Sequence, residues 1–290
     1  MSRIPDSELI LNPDGSVYHL HLKPEHIADN IIVVGDPGRV ALISSFFDSI
    51  DFKISNREFV THTGMYKGTR FTIISTGIGT DNIDIVINEL DAAVNIDLVT
   101  KDIKTEKRSL NIVRIGTSGA LQAEIPIDSF LMSEKAMGFD GLLHFYSDDN
   151  NVLEHDIADS FCKHSNWNSA LAKPYVVSAS SKLLKKLSAG VYTGITATAS
   201  GFYAPQGRVL RLNPAMKDFP EALSSFDYNG LKITNFEMET SALYGLSKAL
   251  GHHACTICAI IANRKTMEFS KNHDAPIKAL ILHVLDNLTI

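Results

Sequence analysis

Ile31-Ile32-Val33-Val34-Gly35-Asp36-Pro37-Gly38-Arg39 is the stretch whose reading decides the fold. Four β-branched residues in a row suit a short strand buried on both faces. Gly35 lets a ligand approach the backbone closely. Asp36 can cap a helix and Pro37 suits its first position, so a helix is expected to run on from Val40 to Phe47. A strand, a glycine and a helix N-terminus make an anion pocket. Arg39 adds a fork of donors matched to phosphate. The same residues also fit a plain capped turn with a surface arginine, so the rest of the chain has to decide.

The pattern recurs twice. Phe71 to Ser75 reads as a strand that exits into Thr76-Gly77-Ile78-Gly79-Thr80, with Asp81 or Asn82 as cap of a helix running to about Val94. Asn111-Ile112-Val113-Arg114-Ile115-Gly116-Thr117-Ser118-Gly119-Ala120 is a further strand ending in glycines. Arg114 inside an apolar strand is costly unless it is paired or binds an anion, and Thr117 and Ser118 add hydroxyls. Ligands of open α/β sheets sit at the carboxyl ends of the strands. No G-x-G-x-x-G stands between a strand and a helix, which counts against a nicotinamide enzyme. Upstream, Tyr18 to Leu22 alternates like a short edge strand. Ser55 to Thr61 reads as a strand with a turn near Gly64. The charged run 101–109 lacks apolar periodicity and reads as an exposed loop rather than a domain boundary.

Downstream, Val152 to Lys163 and Ser181 to Ser188 look helical. Val191 to Ser200 reads as a strand that delivers Gly201-Phe202-Tyr203-Ala204-Pro205-Gln206-Gly207-Arg208. Phe202 can stack on a flat ring. Gln206 offers a donor beside an acceptor, and Arg208 offers donors to a carbonyl. A polar loop with one packed aromatic is the alternative. Asn235-Phe236-Glu237-Met238-Glu239-Thr240-Ser241-Ala242 then opens a helical pattern that stops at Gly251. Its two acids are either solvated charges at a helix N-terminus or ligands, with Glu239 accepting a pair of ribose hydroxyls and Met238 packing on the sugar. Ala254 to Ile261 reads as a buried strand, and the final strand ends at Ile261-Ala262-Asn263-Arg264. Cys255 and Cys258 form a C-x-x-C, but residues three apart on a strand face opposite sides and no second pair completes a zinc site. No metal is expected. Asp274-Ala275-Pro276 starts a last helix whose Ile277, Leu280, Ile281, Val284, Leu285 and Leu288 form one stripe for the sheet.

The bulk composition sets the bounds. The chain has 290 residues, 44% of them hydrophobic and 21% charged, with a net charge of -6. That suits a globular protein and makes a general nucleic-acid surface unexpected. No apolar run reaches the ~20 residues that span a bilayer, and Met1 to Glu8 lacks a signal-peptide core. A cytoplasmic protein is expected, with no membrane partner. Neither a repeat nor an interdomain linker breaks the chain, so residues 1–290 are expected to form one α/β domain.

Six motifs in order carry a family resemblance: Gly-Asp-Pro-Gly-Arg at 35–39, Asn-Arg-Glu-Phe at 56–59, Ser-Thr-Gly-Ile-Gly at 75–79, Arg-Ile-Gly-Thr-Ser-Gly at 114–119, Phe-Tyr-x-x-Gln-x-Arg at 202–208 and Glu-Met-Glu at 237–239. From about Tyr18 to its end the chain resembles the nucleoside phosphorylase superfamily, and within it the members that act on uridine. The resemblance implies a central mixed, twisted β-sheet flanked by helices in three layers, and reversible phosphorolysis of uridine by a pentosyltransferase. It implies Gly35, Arg39, Arg114 and Thr117 for phosphate, with Arg57 completing that site across a dimer interface. Met238 and Glu239 would bind ribose, and His19 would reach its 5′-hydroxyl from the neighbouring subunit. Ser118, Gly119, Phe202, Gln206, Arg208 and Arg264 would surround uracil, with Arg114, Gln206, Arg208 and Glu239 acting in catalysis. The implied assembly is a homo-oligomer built from dimers with shared sites.

No cofactor is implied, since phosphate is a co-substrate. Bacterial members hold a monovalent cation between subunits using a serine where this chain has Asn82, which speaks against that ion here although Glu58 remains. Purine-specific relatives carry an aspartate where this chain has Asn263-Arg264. His21 replaces a usual glycine, and Ala204-Pro205 replaces a proline-glycine pair. A purine phosphorylase, a nucleosidase and a non-catalytic nucleoside-binding protein on the same scaffold are the alternatives.

Overall fold

The expected buried strand forms as β1 (Asn30–Val34), and its last four residues are fully buried. A computed structural model describes residues 3–148 and 151–289. Asp36 caps α1 (Pro37–Ser44) by accepting from Gly38 N at 2.9 Å, with Pro37 in the first turn. A meander of β2 (Ser49–Asn56), β3 (Phe59–Tyr66) and β4 (Thr69–Ser75) follows, then α2 (Thr80–Asn95). The remaining elements are β5 (Asn111–Ala120), β6 (Phe130–Gly138), α3 (His155–His164), β7 (Tyr175–Ser178), α4 (Ser181–Leu187), β8 (Tyr192–Thr198), α5 (Phe219–Ser225), β9 (Asp227–Tyr228), β10 (Leu231–Glu237), α6 (Thr240–Ala249), β11 (His253–Asn263), β12 (Glu268–Phe269) and α7 (Asp274–Leu288).

The sheet is mixed, and one part of it closes on itself. β1 lies between β4 and β5, parallel to both. β11 runs parallel to β5 along its length, β6 pairs with β11, β8 with β6, β10 with β8, and β10 returns to β5. Strands β5, β11, β6, β8 and β10 therefore form a ring, with the β1–β4 meander as a wing. Helices cover both faces. Ile83, Val86, Ile87 and Leu90 of α2 pack with Ala242, Leu243 and Leu246 of α6 on one side. Val40 and Ile43 of α1, Leu183 and Leu187 of α4, and the expected stripe of α7 pack on the other.

One register detail positions the site. β1 stops pairing with β5 at Val33↔Arg114, and β10 takes up that edge only at Phe236↔Gly119. Between them, residues 115–118 of β5 have no ladder partner on that side among the described residues. The short β1 thus leaves a gap at the carboxyl end of the sheet.

Several local expectations change. Tyr18 to Leu22 is a closed turn rather than an edge strand, held by His21 N to Val17 O at 3.1 Å. The alternation reflects Leu20 and Leu22 packing inward from that turn. His21 adopts φ 54°, a left-handed conformation that glycine takes up at least cost. Ser55 to Thr61 is broken by a turn at Arg57, φ 53°. The next turn is at Lys67–Gly68, not Gly64. Gly64 lies inside β3, where a Cβ would come within 2.1 Å of Ser49 O. Gly79, not Asp81 or Asn82, is the N-cap of α2. The 101–109 run is largely exposed, but Lys101 is buried and donates to Leu9 O at 2.7 Å. β12 follows the strand expected to be last.

Tyr244 ties α6 to the ring: its hydroxyl donates to Ser133 O at 2.7 Å and accepts from Thr256 N at 2.8 Å, fully buried. Tyr244→Phe strands both backbone groups. It should lower unfolding stability by about 2–4 kcal/mol, measured by urea titration of Trp167 fluorescence at fixed protein concentration.

Candidate functional site

A cavity of about 790 Å³ opens at the sheet gap. Arg114 is its buried floor. Its Nη2 donates to Glu239 Oε2 in a very short contact, and Nη1 stands 3.6 Å from Glu237 Oε2. Burial opposes the charge on Arg114, but Glu239 and then Glu237 outweigh it and raise its pKa. An arginine in an apolar strand is therefore paired, as its cost requires. Gly116 makes room for it: a Cβ there would lie 2.2 Å from Arg114 Nη1 and 2.9 Å from Cys258 Sγ. Arg114 Nε has no hydrogen-bond partner among the described residues.

Both acids are buried, so the solvated-charge reading of the Glu237–Glu239 run does not hold. Glu239 is the N-cap residue of α6, and its Oε1 accepts from Gly79 N at 3.0 Å. The glycine turn after β4 thus serves to fix a carboxylate on another element. Glu237 ends β10 and accepts from Glu239 N at 2.8 Å, Thr240 N at 2.9 Å and Thr198 Oγ1 at 2.6 Å. Burial raises its carboxyl and Arg114 lowers it, and with Glu239 adding to the rise it stands at about 7. Ser241 extends the framework: its N donates to Thr198 Oγ1, and its hydroxyl donates to Asp140, which also holds Tyr175.

On the β1 side, Arg39 is partly buried and reaches Ile115 O at 3.5 Å, with no carboxylate within ion-pair distance among the described residues. Burial and then Arg114 lower its pKa. Two guanidinium groups close enough to repel make a strong anion attractor. Gly35 and Thr117 line the same cavity, and a Cβ on Gly35 would approach Gly77 O at 3.3 Å.

The opposite wall is planar and polar. Gln206 is buried, and its Oε1 accepts from Arg208 Nη1 at 2.5 Å. Arg208 lies 3.7 Å over the Phe202 ring and also donates to Phe202 O. Arg264 Nη1 donates to Gln206 O at 2.6 Å. Burial and then Arg264 lower the pKa of Arg208. Asn263 faces away from this work: its amide donates to Gln122 O and Ile125 O, and its oxygen accepts from Lys265 N and Thr266 N. Ser118, Gly119 and Met238 complete the lining.

The structure therefore gathers Gly35, Arg39, Arg114, Thr117, Ser118, Gly119, Phe202, Gln206, Arg208, Met238, Glu239 and Arg264 around one cavity. His19 and Arg57 lie outside it. His19 Nδ1 pairs with Glu89 Oε1 at 2.5 Å, and Asn56 Nδ2 binds His19 O at 2.8 Å. Arg57 is exposed at the β2–β3 turn and sits 6.0 Å over the Tyr18 ring, so both residues share one surface. Sequence reasoning missed the Gly79 N–H, the Thr198 hydroxyl and the Phe236 and Phe269 lining, and had Glu58 only as a candidate for an ion between subunits. The Gly77-Ile78-Gly79 run was the one available signal. Cys255 and Cys258 are free and buried, and burial pushes their thiols up to about 12 and about 11. Among the described residues no group of histidine, cysteine and acidic side chains could hold a metal, and no helix is long and apolar enough to cross a membrane.

The family profile described as Phosphorylase superfamily matches residues 29–284. The chain is 33% identical over 258 residues to a uridine phosphorylase of Thermococcus kodakarensis, covering 89% of this chain and 81% of the relative. It is 28% identical over 254 residues to a DeoD-type purine nucleoside phosphorylase of Colwellia psychrerythraea, covering 86% and 88%. Among solved structures it superposes on a Trypanosoma brucei nucleoside phosphorylase described as showing uridine phosphorylase activity. That match has a TM-score of 0.87 and 31% identity, over 97% of this chain and 99% of the other.

Gly116→Ala tests how the Arg114 guanidinium is seated. Its methyl group crowds the Nη1 end, and loss of that charged donor to an anion in the cavity costs about 1.5–3 kcal/mol. Inorganic phosphate binding, measured by calorimetry, should weaken at least about tenfold with the circular dichroism spectrum unchanged.

Proposed function

The chain belongs to the phosphorylase superfamily, and we propose that it is a uridine phosphorylase: it cleaves uridine with inorganic phosphate to uracil and α-ribose 1-phosphate. One observation carries the reading. Arg39 and Arg114 line the same cavity as the Gln206–Arg208 pair, with the Glu239 carboxylate also on its lining. Those are the groups needed at the two ends and middle of a pyrimidine nucleoside in line with phosphate.

Arg39, Arg114, Thr117 and the Gly35 backbone hold phosphate below C1′. Glu239 accepts from the ribose hydroxyls and Met238 packs on the sugar. The glycosidic bond loosens ahead of attack, which leaves positive character on the sugar and negative charge on uracil. Phe202 stacks on the base, with Ser118 and Gly119 beside it. Gln206 and Arg208 stabilise the departing anion, with Arg264 behind them. Catalysis is positioning plus electrostatics, and it needs no cofactor and no dedicated acid. The backbone-engaged Asn263 supports a pyrimidine over a purine, because no acid stands there to protonate a purine ring.

His19 and Arg57 serve the site of a second copy in a dimer-based oligomer. Arg57 is an exposed guanidinium on a hairpin tip, tied to the His19 loop, and it has no carboxylate partner among the described residues. The substrates are small molecules, and the reading is of a cytoplasmic enzyme.

Release of base from uridine and from inosine, each with and without phosphate, tests the proposal. Uracil should appear only with phosphate, and inosine should be a poor substrate. Inosine preference, or release without phosphate, would move the chain to the purine or hydrolytic branch. Arg208→Ala should lower kcat/KM for uridine by at least ~100-fold, since one donor to developing charge is worth ~3 kcal/mol. Arg57→Ala and Arg39→Ala should each be inactive alone and regain part of the activity when mixed and refolded together. Absence of recovery contradicts the shared site.

A further inference from the structure

Glu237 is a buried acid that the proposed reaction does not use. Three polar hydrogens point at its carboxylate: those of Glu239 N, Thr240 N and the Thr198 hydroxyl. It faces Arg114 from β5, Cys258 from β11, Tyr175 from β7, Tyr244 from α6 and Glu239 from its own turn. Tyr175 and Tyr244 are raised well above their ordinary range, each chiefly by burial, and Cys258 is raised to about 11. The tyrosines and the cysteine are neutral at physiological pH. The charges that remain around this pocket are two guanidinium groups, Arg39 and Arg114, and two carboxylates, Glu237 and Glu239.

Arg114 does not serve the two acids equally. Glu239 makes the close contact, while Glu237 is held at 3.6 Å. A tetrahedral dianion arriving between Arg39 and Arg114 adds two negative charges to a cluster whose two guanidinium groups and two carboxylates otherwise balance. In a low-dielectric pocket such crowding is relieved by protonating the least compensated acid. We propose that Glu237 is the proton acceptor linked to phosphate binding: as the anion settles beside Arg114, Glu237 takes a proton from bulk solvent and the site's net charge falls back by one unit. The proton has a seat. The 2.6 Å contact between Glu237 Oε1 and Thr198 Oγ1 suits an O–H···O bond with either partner as donor, while Oε2 keeps both backbone donors. Glu237 is thus a positioning residue that holds the head of α6 in both protonation states. A carboxyl that stands at about 7 is poised for this step.

The sign follows by linkage. Binding takes up protons wherever the free site is ionised and the bound site is protonated, so uptake vanishes near about pH 5, grows through about pH 7 and ends again above the bound-state titration. The proposal rests on the phosphate-site reading, and sulfate separates the two because it is a dianion throughout this range. Sulfate binding should be followed calorimetrically at about pH 8 in buffers of differing ionisation enthalpy. The wild-type protein should take up a fraction of a proton approaching one per site. Glu237→Gln should bind sulfate with no uptake, and its affinity for sulfate should stop falling as pH rises. In infrared difference spectra, sulfate should add a protonated-carboxyl C=O band to the wild-type protein, a readout that holds even where Glu237→Gln does not fold. Sulfate binding without proton uptake and without that band overturns the proposal, as does unchanged uptake in Glu237→Gln. Failure of sulfate to bind, or to compete with phosphate, instead contradicts the phosphate site itself.

Discussion

The structure depends on a buried cationic side chain held between two acids. Arg114 sits on a strand that is otherwise apolar, and burying an ion costs several kcal/mol even after relaxation. That cost is offset because the acids are themselves paired and hydrogen-bonded. Glu239 accepts from Gly79 N, Met238 N and Arg114, and Glu237 accepts from two backbone amides and a threonine hydroxyl. Pairs of this kind are weak contributors to stability. Their effect here is geometric: three elements distant in sequence, β5, the β4–α2 turn and the β10–α6 turn, are locked into one register around the cavity.

The sheet supplies the opening for that lock. β1 is five residues long and β5 is ten. The excess length of β5 has to find another partner, and it finds β10 only at its last residues. The ring of β5, β11, β6, β8 and β10 holds the far side rigid, so the gap at residues 115–118 persists as a cleft. Gly116, Thr117 and Ser118 face it without ladder bonds on that side. A phosphate reader at one end and a planar-ring reader at the other both follow from that opening.

Much of this was legible in the chain. The Ile31-to-Arg39 stretch dictates its own strand, cap and helix, because apolar β-branched residues, Asp36 and Pro37 act locally. Arg114 could be flagged because an unexplained charge in an apolar strand needs a partner. What was not legible depends on contacts far apart in sequence. Gly79 and Glu239 pair across 160 residues and Thr198 and Glu237 across 39, and the threonine does not advertise its partner. Tyr18 to Leu22 imitated a strand because a buried turn can also alternate. The Arg57 turn was hidden because a non-glycine residue occupies the left-handed conformation. Strands β6 and β7 and the elements from α5 to β10 carry too little periodicity of their own to read without the sheet, whereas α3 was legible from its helical pattern.

The central claim is that Arg114 and Glu239 act as one unit. A double-mutant cycle on kcat/KM for uridine, with Arg114→Met, Glu239→Gln and the double variant, tests it most directly. The account predicts that each single change lowers kcat/KM by ~100-fold or more, and that the double variant lies within about tenfold of the worse single, because residues acting together are strongly non-additive. Penalties that simply multiply would contradict it.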